Sequence, residues 1–155
     1  MNKTAQAFTL IEMLVVISII GILATLVAAN LNSARSRARD AERKSDLKNI
    51  GTALRIYYND ATRYPASDGS NKIKACDPGA LSACTWGSEW SIGETVYMQT
   101  MPIDPLSPAQ DYLYTQDPGD TDTYTLQACL ENKSDTNGVA AGVWCPSGVM
   151  FELKP

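Results

Sequence analysis

Histidine is absent from the 155 residues, which removes the commonest general base and metal ligand from any account of the chain. Catalysis would then need paired carboxylates, a cysteine nucleophile or an activated lysine, and no such constellation stands out. The sequence does not read as an enzyme. No C-x-x-C pair occurs among the four cysteines, so the spacing usual for thiolate zinc sites is missing. The first 64 residues contain no proline, so nothing there forces a helix to break. No internal repeat is found, and 155 residues make one modest domain plus a helix rather than two domains.

What is present in strength is an apolar stretch, residues 8–31, opened by Phe8-Thr9-Leu10-Ile11-Glu12. Crossing a bilayer takes roughly 20 mostly apolar residues at ~1.5 Å rise each, and this stretch is long enough. It holds a single carboxylate, Glu12. A charge inside such a segment is costly, by default marks function, and needs a partner. In an isolated chain Glu12 is expected to sit unpaired, at a cost of a few kcal/mol. The alternative is a Glu near the end of the span that snorkels to the headgroups. Gly21, Ala24, Ala28 and Ala29 are small enough for close helix contact, as small residues in any membrane helix are.

Residues 1–7 are polar, carry Lys3 and end in the small residues Ala5 and Ala7. This leader and the run from Phe8 to Glu12 together resemble the signal of type IV pilins and type II secretion pseudopilins. The resemblance implies a membrane aspartic peptidase (the prepilin peptidase) that cuts between Ala7 and Phe8 and methylates the new amino terminus. Phe8 becomes the first mature residue and Glu12 the fifth. The family's usual residue before the cut is Gly, where Ala7 stands here. The Pro that many members carry near position 29 gives way to Ala28-Ala29-Asn30. The implied partners are the lipid bilayer before assembly, an inner-membrane assembly platform with its ATPase, and other copies of the chain. Glu12 would then meet the positive amino terminus of Phe8 on a neighbouring copy, which sets the stagger between subunits, while the apolar faces of residues 8–31 hold them together. The rival reading is an ordinary secretory signal, with Lys3 as its basic region and Ala28-Ala29 as its cut site. Such a signal has an apolar core of about 7–15 residues. This run is longer, and its small residues precede it.

The cysteines, Cys76, Cys84, Cys129 and Cys145, all lie beyond the apolar segment. In a chain with an export signal this reads as disulfides. Of the three possible pairings, Cys76–Cys84 and Cys129–Cys145 are preferred, because both pairs are close in sequence and close loops rich in Gly, Pro or Asn. Residues 1–65 hold nine Lys/Arg against five Asp/Glu; residues 66–155 hold four against twelve. The acidic second part argues against phosphate binding by that surface, and nucleic acid is not a favoured partner. Arg35, Arg37, Arg39, Arg43, Lys44 and Lys48 are interleaved with Asp40, Glu42 and Asp46, which predicts a solvated, self-paired helix face. Counting only Lys and Arg, the positive-inside rule puts this basic stretch in the cytoplasm. The cysteines and the leader put it outside, and that orientation is adopted: a single-pass membrane protein with an extracytoplasmic head, later part of a surface or periplasmic filament.

Beyond the span, Ala34, Ala38, Ala41, Leu47, Ile50, Leu54, Tyr57, Tyr58 and Ala61 recur mainly at threes and fours along one helix face. One helix from about Phe8 to Thr62 is predicted, stopped at Arg63-Tyr64-Pro65. Its ~55 residues would run roughly 80 Å. A small head cannot cover that length, so lipid or other copies must cover the front half. Residues 66–93 read as loop, with a disulfide clip and exposed Trp86 and Trp90. Strands are predicted at 112–116, 123–131 and 149–153, where apolar and polar residues alternate. The fold class is α+β: a long N-terminal helix, membrane-spanning in its first half, against a small antiparallel β-sheet. The organisation is a leader at 1–7, a transmembrane and assembly helix at 8–31, its amphipathic continuation at 32–63, and a disulfide-containing head at 64–155.

In that head the order Arg63-Tyr64-Pro65, Trp90, Tyr97, Met101-Pro102-Ile103-Asp104-Pro105, Tyr112-Leu113-Tyr114 and Tyr124-Thr125-Leu126 is similar to the major pseudopilin branch. The Pro102–Pro105 stretch reads as a rigid turn. The resemblance implies calcium in a loop after the second or third strand. Two oxygen-rich segments are candidates: Asp117, Asp120 and Asp122, and Glu131, Asn132, Ser134, Asp135 and Asn137. Calcium wants six to eight oxygens; neither segment has the spacing of a known calcium loop, and such clusters are ordinarily solvated turns. No cofactor is assured by the sequence. The function implied is a structural filament subunit, of a secretion pseudopilus or a type IV pilus. The alternative is a minor pilin, adhesin or DNA-uptake subunit that binds through Trp86, Trp90 and the disulfide loop.

Overall fold

The computed structural model describes residues 9–155, without the side chains of Ala28 and Ala29. The leader, the cut expected between Ala7 and Phe8, and any packing by Ala28 and Ala29 lie outside the described residues. The first element, helix α1 (Leu10–Ala61), is 52 residues long. It closes where expected: Thr62 turns left-handed at φ 54°, its N–H still reaching the Tyr58 carbonyl at 2.8 Å, and Pro65 follows. A left-handed residue just past the last turn satisfies carbonyls that the helix leaves open.

The chain divides into two compact units, one ending at Ser36 and the other Arg37–Pro155. In the first, the large apolar side chains of residues 10–31 are exposed, Leu10 by 82% and Ile17 by 65%. This part of α1 is long and apolar enough to cross a membrane, and such a surface needs lipid or another apolar surface against it.

In the second unit three small antiparallel sheets accompany the remainder of α1. Strands β1 (Ala66–Ser67) and β2 (Ile73–Lys74) pair, as do β3 (Trp90–Ile92) and β4 (Thr95–Met98). The main sheet joins β5 (Leu113–Asp117), β6 (Asp120–Cys129), β7 (Val139–Ala140) and β8 (Val149–Leu153) in the order β5-β6-β8-β7. Its register sets Tyr114 opposite Leu126, and Leu126 opposite Leu153. The core joins Leu47, Ile50, Leu54 and Tyr57 of α1 to Tyr114, Tyr124, Leu126 and Ala128 of the sheet and to Ile73, Trp90 and Met101. Helix and sheet approach closely at Gly51: a Cβ there would lie 2.7 Å from Leu153 Cδ2. Both preferred disulfides are present, Cys76–Cys84 with a Cα separation of 5.1 Å and Cys129–Cys145 with 5.3 Å.

Three expectations are corrected. Residues 66–93 are not all loop, since β1, β2 and the whole of β3 lie there; strands of two or three residues are too short to show a period. Trp86 and Trp90 are buried, not exposed. Trp90 donates Nε1–H to the Ala75 carbonyl at 2.8 Å and stacks on Tyr57 with ring centroids 5.8 Å apart. Trp86 meets Tyr112 edge-on. The loop's aromatics are thus its packing anchors. Finally, Ala34, Ala38 and Ala41 are exposed. The buried row above Leu47 continues instead through Arg43 and Asp40, which hold the 3–4 spacing with it.

Candidate assembly site and the charged lock of the head

Thr9 and Glu12 form a reciprocal cap at the start of α1. The Thr9 N–H and hydroxyl each donate to Glu12 Oε2 at 2.8 Å. In return the Glu12 N–H donates to Thr9 Oγ1 at 3.2 Å. A Thr followed three residues later by Glu closes two otherwise open N–H groups, and a carboxylate in the first turn also faces the positive end of the helix dipole. Within one chain Glu12 thus holds hydrogen bonds from Thr9, which satisfy its oxygen without supplying the opposite charge that the expectation concerns. The T-x-x-E spacing carried that signal.

Deeper in the span the polar side chains turn to their own backbone. Ser18 Oγ donates to the Leu14 carbonyl, Thr25 Oγ1 to Ile22 and Asn30 Nδ2 to Leu26. A bilayer offers no water to these groups, so internal partners are what a spanning helix needs.

The basic stretch 35–48 does something other than pair with itself. Arg43 is fully buried. Its Nε and Nη2 fork onto Asp104 at 2.7 and 3.0 Å, and its Nη1 reaches Asp40 at 2.8 Å and Glu131 at 2.9 Å. Arg39 forks onto both oxygens of Glu131, at 2.7 and 2.6 Å. Lys44 Nζ takes both oxygens of Asp135, at 2.6 and 2.5 Å. Asp40, buried as well, accepts the N–H groups of Glu131 and Asn132 at 2.9 and 2.8 Å. Asp46 accepts the Tyr112 hydroxyl at 2.6 Å. Only Asp40–Arg43 is a pair within the helix. The rest tie α1 to chain 61–92 residues away, because a buried charge must be paired and hydrogen-bonded.

The electrostatics follow. Burial works against the Arg43 charge, but its bonds to Asp104 and Glu131 win and raise its pKa. The Arg39 guanidinium, with Arg43 behind it, holds the Glu131 carboxyl down at about 2. Lys44 lowers Asp135. Burial raises Asp46, against the bond from Tyr112.

Of the residues picked for calcium, Glu131 and Asp135 are thus paired to helix cations. Asn132 Oδ1 accepts the Ser134 N–H at 3.2 Å, and Asp135 Oδ1 the Asn137 N–H at 2.9 Å. Asp117 and Asp120 cap the N–H groups of Gly119 and Asp122 in their own turn. Among the described residues no three His, Cys, Asp or Glu side chains converge as a metal-ligand set. Asp104, the acid of the Pro-x-Asp-Pro turn, is the functional residue that the reading as a rigid turn passed over; its place between two prolines was the signal.

A family model of the prokaryotic N-terminal methylation motif matches residues 2–28. A second, type II secretion system protein G, matches residues 30–143. The chain belongs to the type II secretion protein G family. The family's type II secretion system core protein G of Pseudomonas aeruginosa is 31% identical over 144 residues, 92% of this chain and 97% of that relative. The core protein G of Vibrio cholerae is 30% identical, over 92% of this chain and 93% of its own length. The type IV major pilin protein PilA of Myxococcus xanthus is 38% identical over 72 residues, 46% of this chain and 32% of the pilin. No solved structure matches the chain with significance. As a protein G family member the chain is a pseudopilin, a structural subunit of a filament. Its methylation motif implies prepilin processing and filament assembly, and its apolar helix fits membrane anchoring before that assembly.

Proposed function

We propose that this pseudopilin is cut between Ala7 and Phe8, methylated at Phe8, and joined to its neighbours by pairing Glu12 with the Phe8 amine of the adjacent copy. The supporting observation is a single carboxylate, held in the first turn of α1, at the head of a helix whose apolar side chains are exposed. The amine created by the cut is the cation that this acid needs. The bilayer covers residues 10–31 before assembly, with the head outside the cytoplasm. An inner-membrane platform and its ATPase would then draw the subunit into the filament, where the same apolar faces meet each other.

The reading as an adhesive or DNA-uptake subunit has less support, since Trp86 and Trp90 are spent in the core and Arg39, Arg43 and Lys44 are already bound to carboxylates. The test is filament yield with the Glu12→Ala and Glu12→Gln chains, alongside N-terminal sequencing of the mature protein. Both variants are expected to insert and fold but to give no filaments, and the mature chain to begin at N-methylated Phe8. Normal filaments from Glu12→Ala, or a mature chain that starts at Asn30 or Leu31, would overturn the proposal.

A further inference from the structure

The geometry points to a head stapled by its own cations in the place where the family resemblance calls for calcium, so that the loop after β6 is ordered independently of any divalent ion. The carboxylate oxygens of that loop are committed. Arg39 occupies both oxygens of Glu131, and Lys44 both oxygens of Asp135. Arg43, itself without solvent exposure, bridges Glu131 to Asp40 and Asp104. Asp40 in turn holds the two backbone N–H groups that open the loop, and Cys129–Cys145 closes it covalently. A calcium ion would need six to eight oxygens. To collect the carboxylates it would have to displace a bidentate guanidinium and an ammonium at once. Taking Glu131 from Arg43 would also leave that buried guanidinium against fewer counter-charges, which is strongly unfavourable.

The second oxygen-rich segment gives no better cage, because Asp117 and Asp120 are turned onto their own backbone. What calcium supplies by binding, this chain supplies from α1: three positive charges at fixed helix positions, whose local concentration no chelator can change. The consequence is a head that tolerates calcium-poor surroundings and answers to loss of its carboxylate charge instead.

The test uses the full chain in detergent micelles, melted in excess EGTA and again in calcium chloride on the order of 1 mM, where weak extracellular sites fill. The expected midpoints coincide, and calorimetric titration with calcium chloride gives no binding heat. Lys44→Met, which leaves the buried Arg43 intact, is expected to lower the midpoint by about 5 °C, equally in both buffers. Arg39→Met is expected to do the same. A wild-type midpoint that falls in EGTA or rises with calcium would overturn the inference, as would Lys44→Met and Arg39→Met chains that melt like the wild type.

Discussion

The two parts of α1 have the same backbone and opposite surroundings. Before Ser36 the side chains of Ser18, Thr25 and Asn30 bond to their own turn of helix, and the large apolar ones face outward. After Arg37 the apolar side chains Leu47, Ile50 and Leu54 are fully buried, and Arg43, Arg39 and Lys44 reach to residues 104, 131 and 135. The first part is built for a medium without hydrogen-bond partners, the second for a protein interior. Helix stability in proteins comes mainly from such packing rather than from propensity, so the two parts answer to different perturbations.

That difference can be pressed from the large effects to the small. Trp90→Ala removes the ring that stacks on Tyr57 and the bond to Ala75. It is expected to cost the head about 3–5 kcal/mol, read by denaturant unfolding, with membrane insertion unchanged. Next comes the longer disulfide, with a sequence separation of 16. Replacing Cys129 and Cys145 by Ser is expected to cost about 3 kcal/mol, and losing the shorter Cys76–Cys84 bridge about 2.5 kcal/mol.

Acid should follow the lock. The Glu131 carboxyl is held at about 2 against its ordinary 4.5, so its contribution is complete above about pH 4.5 and is lost as pH falls toward 2. Asp135, also lowered by its cation, acts in the same sense. Asp46, raised by burial, gains on protonation and offsets part of the loss. The melting midpoint is expected to be flat near neutrality and to decline below about pH 4.5. The smallest effect is expected from Leu14→Ala, at an exposed position: no change in the head's unfolding free energy beyond about 0.5 kcal/mol. A large shift there would erase the distinction between the two parts.

Much of this architecture was readable in the residues. The long apolar run, the Pro65 stop and the alternation around Tyr124, Leu126 and Ala128 gave α1, β5, β6 and β8 within a few positions, and short loop closure gave both disulfides. Two-residue strands carry no period, so β1, β2 and β7 left no trace. The Trp residues sit among Gly, Ser and Glu and look exposed until Tyr57 is brought against Trp90. The lock is hidden in the sequence for a definable reason. Interleaved Arg, Asp and Glu on a helix satisfy the rule for pairing at three or four residues, and no local rule reveals that Asp104 or Glu131 comes from elsewhere. Glu12 is legible from the apolar run, and its hydrogen-bond donor Thr9 stands three residues before it in the same motif.

The cap at the start of α1 lies wholly downstream of the proposed processing point. Both donors and the acceptor belong to Thr9 and Glu12, and the peptide that carries the Thr9 N–H survives removal of everything before Phe8. Precursor and mature polypeptide can therefore share one folded beginning. On the proposed cut the cap's bonds would all be kept, so no refolding of the cap would have to separate proteolysis from polymerisation.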